Sequence, residues 1–223
     1  MANINNTAND TLLSGTSGDD SIQNGGYWYE DSNYIWHDGG SYVTMDAGDG
    51  DDYIRNYQGD KVLIAGGNGN DSISNSGSNV TMDAGAGDDS ISLNHDSKYN
   101  VILYNEGDGN DTVKGFNADD TLKISGSSYS TIKSGNNIIV TVGTSSIILK
   151  GAASLSAVNI DGEEVVNTFL TTLTEGDDEY SNKLDGAIIL ALGGKDSINS
   201  RGRNVLINGG AGKISFTITV ANG

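Results

Sequence analysis

Aspartates set in glycine-rich turns are the richest source of chemistry in this chain. Ala47-Gly48-Asp49-Gly50-Asp51-Asp52 is followed two residues on by Ile54, and Gly66-Gly67-Asn68-Gly69-Asn70-Asp71 by Ile73. Ala84-Gly85-Ala86-Gly87-Asp88-Asp89 with Ile91, and Glu106-Gly107-Asp108-Gly109-Asn110-Asp111 with Val113, repeat the pattern. Gly15 to Asp20, with Gly18 inside it and Ile22 after it, comes before them. Carboxylates and inward-turned carbonyls are hard oxygen donors, the kind calcium gathers six to eight at a time. Glycine lets the carbonyls turn, because it tolerates positive φ without steric cost. The candidate calcium ligands are therefore Gly18 and Asp20, Gly48, Gly50 and Asp52, Gly67, Gly69 and Asp71, Gly85, Gly87 and Asp89, and Gly107, Gly109 and Asp111. Asp178 and Asp196 extend the set further along the chain.

The spacing says what must position them. Asp52 to Asp71 is 19 residues, Asp71 to Asp89 is 18, and Asp178 to Asp196 is again 18. A repeat of that length accommodates two short strands and two turns, so the glycine loop recurs once per coil on one edge of a solenoid. The alternating triplets Val43-Thr44-Met45, Val62-Leu63-Ile64, Val80-Thr81-Met82 and Val205-Leu206-Ile207 each stand just before a glycine loop. Alternate strand residues share a face, so Val80 and Met82 point inward and Thr81 outward. Stacked coils supply the core that no single coil has. The expected fold is all-β: a parallel β-roll solenoid with 18–19 residues per coil. The opposite turns, such as Asn75-Ser76-Gly77-Ser78-Asn79 and Ser200-Arg201-Gly202-Arg203-Asn204, lack the recurrent aspartate and read as a plain turn edge.

These loops resemble the RTX (hemolysin-type) calcium-binding repeat, G-G-x-G-x-D-x-U-x, whose family folds as a calcium-loaded parallel β-roll. The resemblance implies Ca2+ as the cofactor, several ions in number. It also implies type I secretion to the extracellular space or cell surface, by a C-terminal signal. The electrostatics agree. Aspartates of successive coils, about 4.8 Å apart, repel by about 1 kcal/mol in water and about 3.5 kcal/mol at an effective dielectric near 20. A cation bridging consecutive loops turns that repulsion into a clamp and couples folding to binding.

Three segments follow. Residues 1–114 hold a lead-in strand at Thr11-Leu12-Leu13 and the first roll. Its coil between Asp20 and Asp52 is irregular; placing Tyr34-Ile35 on Tyr53-Ile54 puts Asn33 one 19-residue coil before Asp52. The aromatics Tyr27, Trp28, Tyr29, Tyr34 and Trp36 are then expected to cover the first coil end. Residues 115–167 read as a β cap, with paired strands at Asn137–Val142 and Ser145–Leu149, and Asp119 and Asp120 closing the last calcium site. Residues 168–223 form a second, weaker array: Leu192 and Lys195 interrupt its glycine loop, and Gly209 to Ile214 loses the aspartate. The stretch from Lys213 to Gly223 leaves the pattern abruptly, as a frameshifted or truncated array would, while Ile214, Phe216, Ile218 and Val220 still alternate as a strand.

Composition bounds the function. Thirty acidic residues against 12 basic give a net charge of −18, with 32 glycines and no cysteine or proline. So acidic a chain has no basic patch for nucleic acid, and without metal it lies towards disorder. No thiolate site or disulfide scaffold is available, no segment is long and apolar enough for a membrane helix, and Met1 to Asp20 does not read as a Sec signal peptide. An EF-hand loop is missing, and Gly212-Lys213 lacks the remaining P-loop residues. His37 and His95 have no motif partner, and no G-x-S-x-G elbow occurs. The reading is a non-enzymatic, secreted calcium-binding structural or adhesin module, open to end-to-end or surface self-association. Alternatives are the repeat portion of a larger secreted hydrolase or toxin, or an ice- or surface-binding solenoid. The last needs a regular outward threonine rank, but the outward centres read Thr44, Leu63, Thr81, Ile102 and Leu206.

Overall fold

The computed structural model describes residues 1–30, 33–126, 128–155, 157–166, 170–182, 188–201, 205–209 and 213–218. The chain divides into two compact units, Met1–Glu164 and Val165–Gly223. Each is built of stacked parallel strands, and the described helical content is a single short turn, Ala152–Ser154. The chain is a parallel β-solenoid, as the repeat length requires.

In the first unit two sheets face each other. One runs Asn3–Asn6, Ser21–Asn24, Tyr53–Asn56, Ser72–Asn75, Ser90–Leu93 and Asn110–Lys114; the other runs Leu12–Thr16, Thr44–Asp49, Leu63–Asn68, Thr81–Ala86, Val101–Asn105 and Thr121–Ser125. Alternation sends one row of each sheet inward. Met45, Ile64, Met82, Ile102 and Leu122 meet Ile22, Ile54, Ile73, Ile91 and Val113, all buried. Each such side chain contributes about 1.5–3 kcal/mol by leaving water. Ser145–Lys150 joins the first sheet in parallel beside Asn110–Lys114, and Asn137–Val142 and Tyr129–Ser134 then extend it antiparallel. The strand pair expected around Gly143-Thr144 is present, with Val142 opposite Ser145.

Four expectations need correction. The irregular coil is an insertion, not a short coil. Ile22, rather than Ile35, lies on Ile54, and Gly26–Glu30 pairs antiparallel with Asn33–His37 as a hairpin leaving the roll. Counting one period back from Asp52 misled because a constant period cannot register an inserted loop. The aromatic side chains of that hairpin lie outside what the structure describes. Ile102 faces inward against Met82, and Val101 takes the outward place beside Thr81; a longer preceding turn (Asp89 to Asp111 is 22 residues) shifts the apolar triplet by one.

The third correction concerns the opposite edge, which is not a plain turn edge. It carries a buried asparagine ladder. Asn6 Nδ2 donates to Asn24 Oδ1 (3.0 Å), Asn24 to Asn56 (2.9 Å), Asn56 to Asn75 (2.8 Å) and Asn75 to Asn100 (3.2 Å). The same carboxamides close their own turns: Asn56 Nδ2 donates to the Gly59 carbonyl, Asn75 Nδ2 to that of Gly77, and Asn24 Nδ2 to that of Gly40. Asp120 belongs to this edge and not to the aspartate column. Its carboxylate accepts the N–H groups of Asn100 and Asn117, each at 3.0 Å, so it does not close the aspartate column as the sequence reading expects.

The second unit repeats the plan. Leu170–Thr172, Ile188–Leu190 and Leu206–Asn208 form one parallel sheet, and Glu179–Asn182, Lys195–Ser200 and Lys213–Ile218 the other. Ile189, Ala191 and Ile198 form its core, with Leu173, Tyr180, Val205 and Ile207 packed against them. The terminal alternation makes a strand, Lys213–Ile218, with Ile214 in register with Asp196. The turn at 202–204 lies outside the described residues.

The asparagine ladder predicts a large and local penalty. Asn56→Ala strands buried partners on Asn24 and Gly59, and should lower stability by about 2–4 kcal/mol at about 1–3 kcal/mol per orphaned group. The outward Ser72→Ala should stay within about 0.5 kcal/mol. Urea unfolding of the two variants under identical conditions checks the difference.

Candidate metal centre

The glycine loops lie along one edge in register, Gly48 on Gly67 on Gly85. Gly67 and Gly69 hold φ of 117° and 130°, and Gly48, Gly50, Gly85, Gly87, Gly107 and Gly109 are likewise left-handed. A Cβ added to Gly67 would strike the Gly48 carbonyl oxygen, and one added to Gly69 the Gly50 carbonyl oxygen. Each loop therefore aims carbonyls at the glycines of the next. Only a residue without a side chain permits that approach.

Inside the loops the aspartates form a buried column. The N–H of Asp20 donates to Asp52 Oδ1 at 2.6 Å, that of Asp52 to Asp71 at 2.8 Å, that of Asp71 to Asp89 at 2.7 Å and that of Asp89 to Asp111 at 3.0 Å. One oxygen of each carboxylate is thus used. The other Oδ2 atoms of Asp52, Asp71 and Asp89 are buried and have no hydrogen-bond partner. Oxygens converge at the glycine beside them: a Cβ on Gly66 would strike both Asp71 Oδ2 and the Ala84 carbonyl oxygen. Buried anionic oxygens without a donor are expensive, and carboxylate and carbonyl oxygens gathered together are what a hard cation takes as ligands. The donor set fits calcium. Among the described residues no three acidic or imidazole side chains converge, so each loop would offer one carboxylate and complete the shell with carbonyls.

A second, exposed row runs beside the column with the opposite sense. The N–H of Asp51 donates to Asp19 (3.2 Å), that of Asn70 to Asp51 (2.7 Å), that of Asp88 to Asn70 (2.9 Å) and that of Asn110 to Asp88 (2.8 Å). In the column, N–H groups reach forward along the chain; in this row they reach back.

The column is not uniform along its length. At Asp20, Oδ1 accepts the Ala2 N–H while Oδ2 accepts the Thr16 N–H (2.6 Å) and hydroxyl (2.9 Å). Gly18 does not share the left-handed φ of Gly50, Gly69 and Gly87, and a side chain there would meet open space. At the far end Tyr104 takes the row of Ala84 and donates its hydroxyl to the Gly109 carbonyl at 2.6 Å. In the second unit the Asp178 N–H donates to Asp196 Oδ1 at 3.1 Å, and Asp196 Oδ2 is buried without a partner. The structure thus gathers Asp20, Asp52, Asp71, Asp89 and Asp111 into one column and sets Asp178 and Asp196 in another, of the second unit.

Burial sets the proton affinities. Loss of water pushes Asp71 up to about 6, and Asp89 and Asp111 up to about 7; neighbouring carboxylates push the same way, and backbone N–H donors oppose. Asp52 is raised for the same first reason. Asp20 moves the other way, held down first by the Ala2 N–H and also by Thr16. Sequence reasoning missed Asp83, on the outward wall of an open groove with Asp49, Asn68 and Asn105. Burial, then the charge of Asp108, raises it. The asparagine ladder was also missed, although Asn24, Asn56 and Asn75 stand four residues after Asp20, Asp52 and Asp71.

No protein-family profile matches the chain, and no curated protein sequence matches it. Among solved structures it is similar to the extracellular lipase LipA from Serratia marcescens, with 17% identity over 65% of this chain and a TM-score of 0.41. The matched region is 37% of the lipase chain, so this chain spans well under half of that protein.

Two outcomes follow. The raised aspartates bind protons in the metal-free fold that the unfolded chain, near 3.8, has released. Their stabilisation is complete below the unfolded value and disappears as pH rises through the folded values. Chelator-treated protein should therefore gain β structure in far-UV circular dichroism as pH falls from about 8 to about 5, by that linkage; a flat profile would contradict it. Gly67→Ala should cost at least about 1–3 kcal/mol in urea unfolding, from the left-handed φ alone. Gly18→Ala should stay within about 0.5 kcal/mol.

Proposed function

We propose that this protein is a secreted, calcium-binding structural or adhesin-type repeat protein of the RTX kind, which folds as it takes up Ca2+ along its aspartate edge. One observation carries the reading: the buried, partnerless Oδ2 atoms of Asp52, Asp71 and Asp89 stand in one column beside glycines and carbonyls. Those carboxylates would hold the ions, with carbonyls from Gly48, Gly50, Gly67, Gly69 and Gly87 completing the oxygen set; Asp196 plays the same part in the second unit. Bound calcium supplies positive charge where the folded chain concentrates negative charge. The chain's own contribution is to fix the carboxylates by backbone N–H donors and to exclude water from them.

The fold is then the activity, and the protein acts as a scaffold or binding module rather than an enzyme. His95 lies in an exposed turn with Asp96 at 3.1 Å, which serves no nucleophile. Low-affinity calcium sites, of the order of 10⁻⁴ to 10⁻³ M, suit the extracellular medium. A chain with net charge −18 stays loose where calcium is scarce and folds where it is plentiful. Self-association, end to end or by its faces, is consistent with that role.

The test is a calcium titration of the chelator-stripped chain followed by far-UV circular dichroism, with magnesium in parallel. A cooperative transition to β structure specific to calcium is the expected result. Complete β structure in chelator at neutral pH, unmoved by calcium, would make the glycine loops ordinary turns and end the reading.

A further inference from the structure

The column contains aspartates of two kinds, and the difference recurs in both units. At Asp52, Asp71, Asp89 and Asp196, Oδ2 is buried without a partner. At Asp20 and Asp178 it is not. Asp20 Oδ2 accepts the Thr16 N–H and hydroxyl, and Asp178 Oδ2 accepts the Thr174 N–H and hydroxyl, both at 2.8 Å. The two loops share a spelling found at the start of each array: Thr16-Ser17-Gly18-Asp19-Asp20 and Thr174-Glu175-Gly176-Asp177-Asp178. We infer that these opening loops are metal-free caps, in which threonine N–H and O–H donors satisfy the carboxylate oxygen that a cation would ligate elsewhere. Calcium binding then begins one loop later, at Asp52 and at Asp196. The inference rests on the calcium reading above and fixes where along each array the ions stop.

In the first array the backbone shows how the threonine loop differs from the loops that follow it. Thr16 pairs in register with Gly48, which holds φ at 99°. A β-branched residue does not adopt that conformation without strain. Thr16 keeps an ordinary φ, so its N–H stays turned towards its own aspartate rather than following the course of Gly48, Gly67 and Gly85. With the Ala2 N–H on Oδ1, Asp20 has a donor on each oxygen. A carboxylate accepting two or three such bonds is stabilised in its charged form without a metal. The consequence is a first coil that needs no calcium, on which the calcium-dependent coils stack.

Counting bound calcium by native mass spectrometry, with circular dichroism as the folding control, tests this on the full chain. Asp71→Asn should lose at least one ion, whereas Asp20→Asn should keep the wild-type number. Thr16→Gly removes the hydroxyl, permits a left-handed φ, and completes a loop of the same form as Gly66 to Asp71; it should gain an ion. Thr174→Gly is the parallel variant for Asp178. Loss of an ion from folded Asp20→Asn would overturn the inference. If Asp20→Asn does not fold, Thr16→Gly decides alone, and an unchanged count there overturns it. A wild-type chain that binds no calcium at all would instead bring down the calcium reading, and this inference with it.

Discussion

Every coil of a parallel solenoid places each residue directly on its counterpart in the next, and this like-on-like stacking governs the rest of the molecule. Some side chains stack on their own kind to advantage. A carboxamide carries a donor and an acceptor, so Asn6, Asn24, Asn56, Asn75 and Asn100 link into a chain with no other partner needed. Isoleucine on isoleucine fills the core. A carboxylate has only acceptors, so the aspartate edge cannot satisfy itself. Backbone N–H groups answer half of its need, at one oxygen per residue, and the remaining oxygen sets the requirement for an outside cation or a proton. The two edges of one coil therefore illustrate a self-sufficient and a dependent solution to the same geometry.

The self-sufficient edge also absorbs irregularity. Between Asp20 and Asp52 the chain spends 32 residues where its neighbours spend 18 or 19. The excess leaves the roll as a hairpin and returns at Gly40, whose N–H donates to Asn24 Oδ1 and whose carbonyl accepts from Asn24 Nδ2. Asn75 closes a turn with Gly77 by the same pair of bonds across only two residues. One side chain thus pins the roll shut whatever length of chain lies outside the pin.

What was legible in the sequence was whatever repeats at a constant offset. The glycine loops, the following aliphatics and the inward valine and methionine rows point to the solenoid, to its loops on one edge and to the aspartate column. Failures came where the offset changes. Ile35 and Ile102 were misplaced because an inserted hairpin and a lengthened turn move register without altering local residue types. Asp120 was misassigned because an acidic pair after the last repeat reads as metal chemistry, while its true partners, the N–H groups of Asn100 and Asn117, lie across the fold. Thr16 was legible in principle, since threonine stands where the later loops of its array have glycine, and Thr174 repeats its spelling. Their role becomes visible only when the destination of each carboxylate oxygen is traced.

The opposed hydrogen-bond senses of the two loop rows have a mechanical consequence. In the inner row the donors of each coil reach towards the following coil, and in the outer row towards the preceding one. Each adjacent pair of coils thus exchanges donors in both directions, and neither coil of a pair is donor or acceptor alone. The glycine edge is cross-laced, and a coil leaving its neighbour there gives up a bond of each row at the same step.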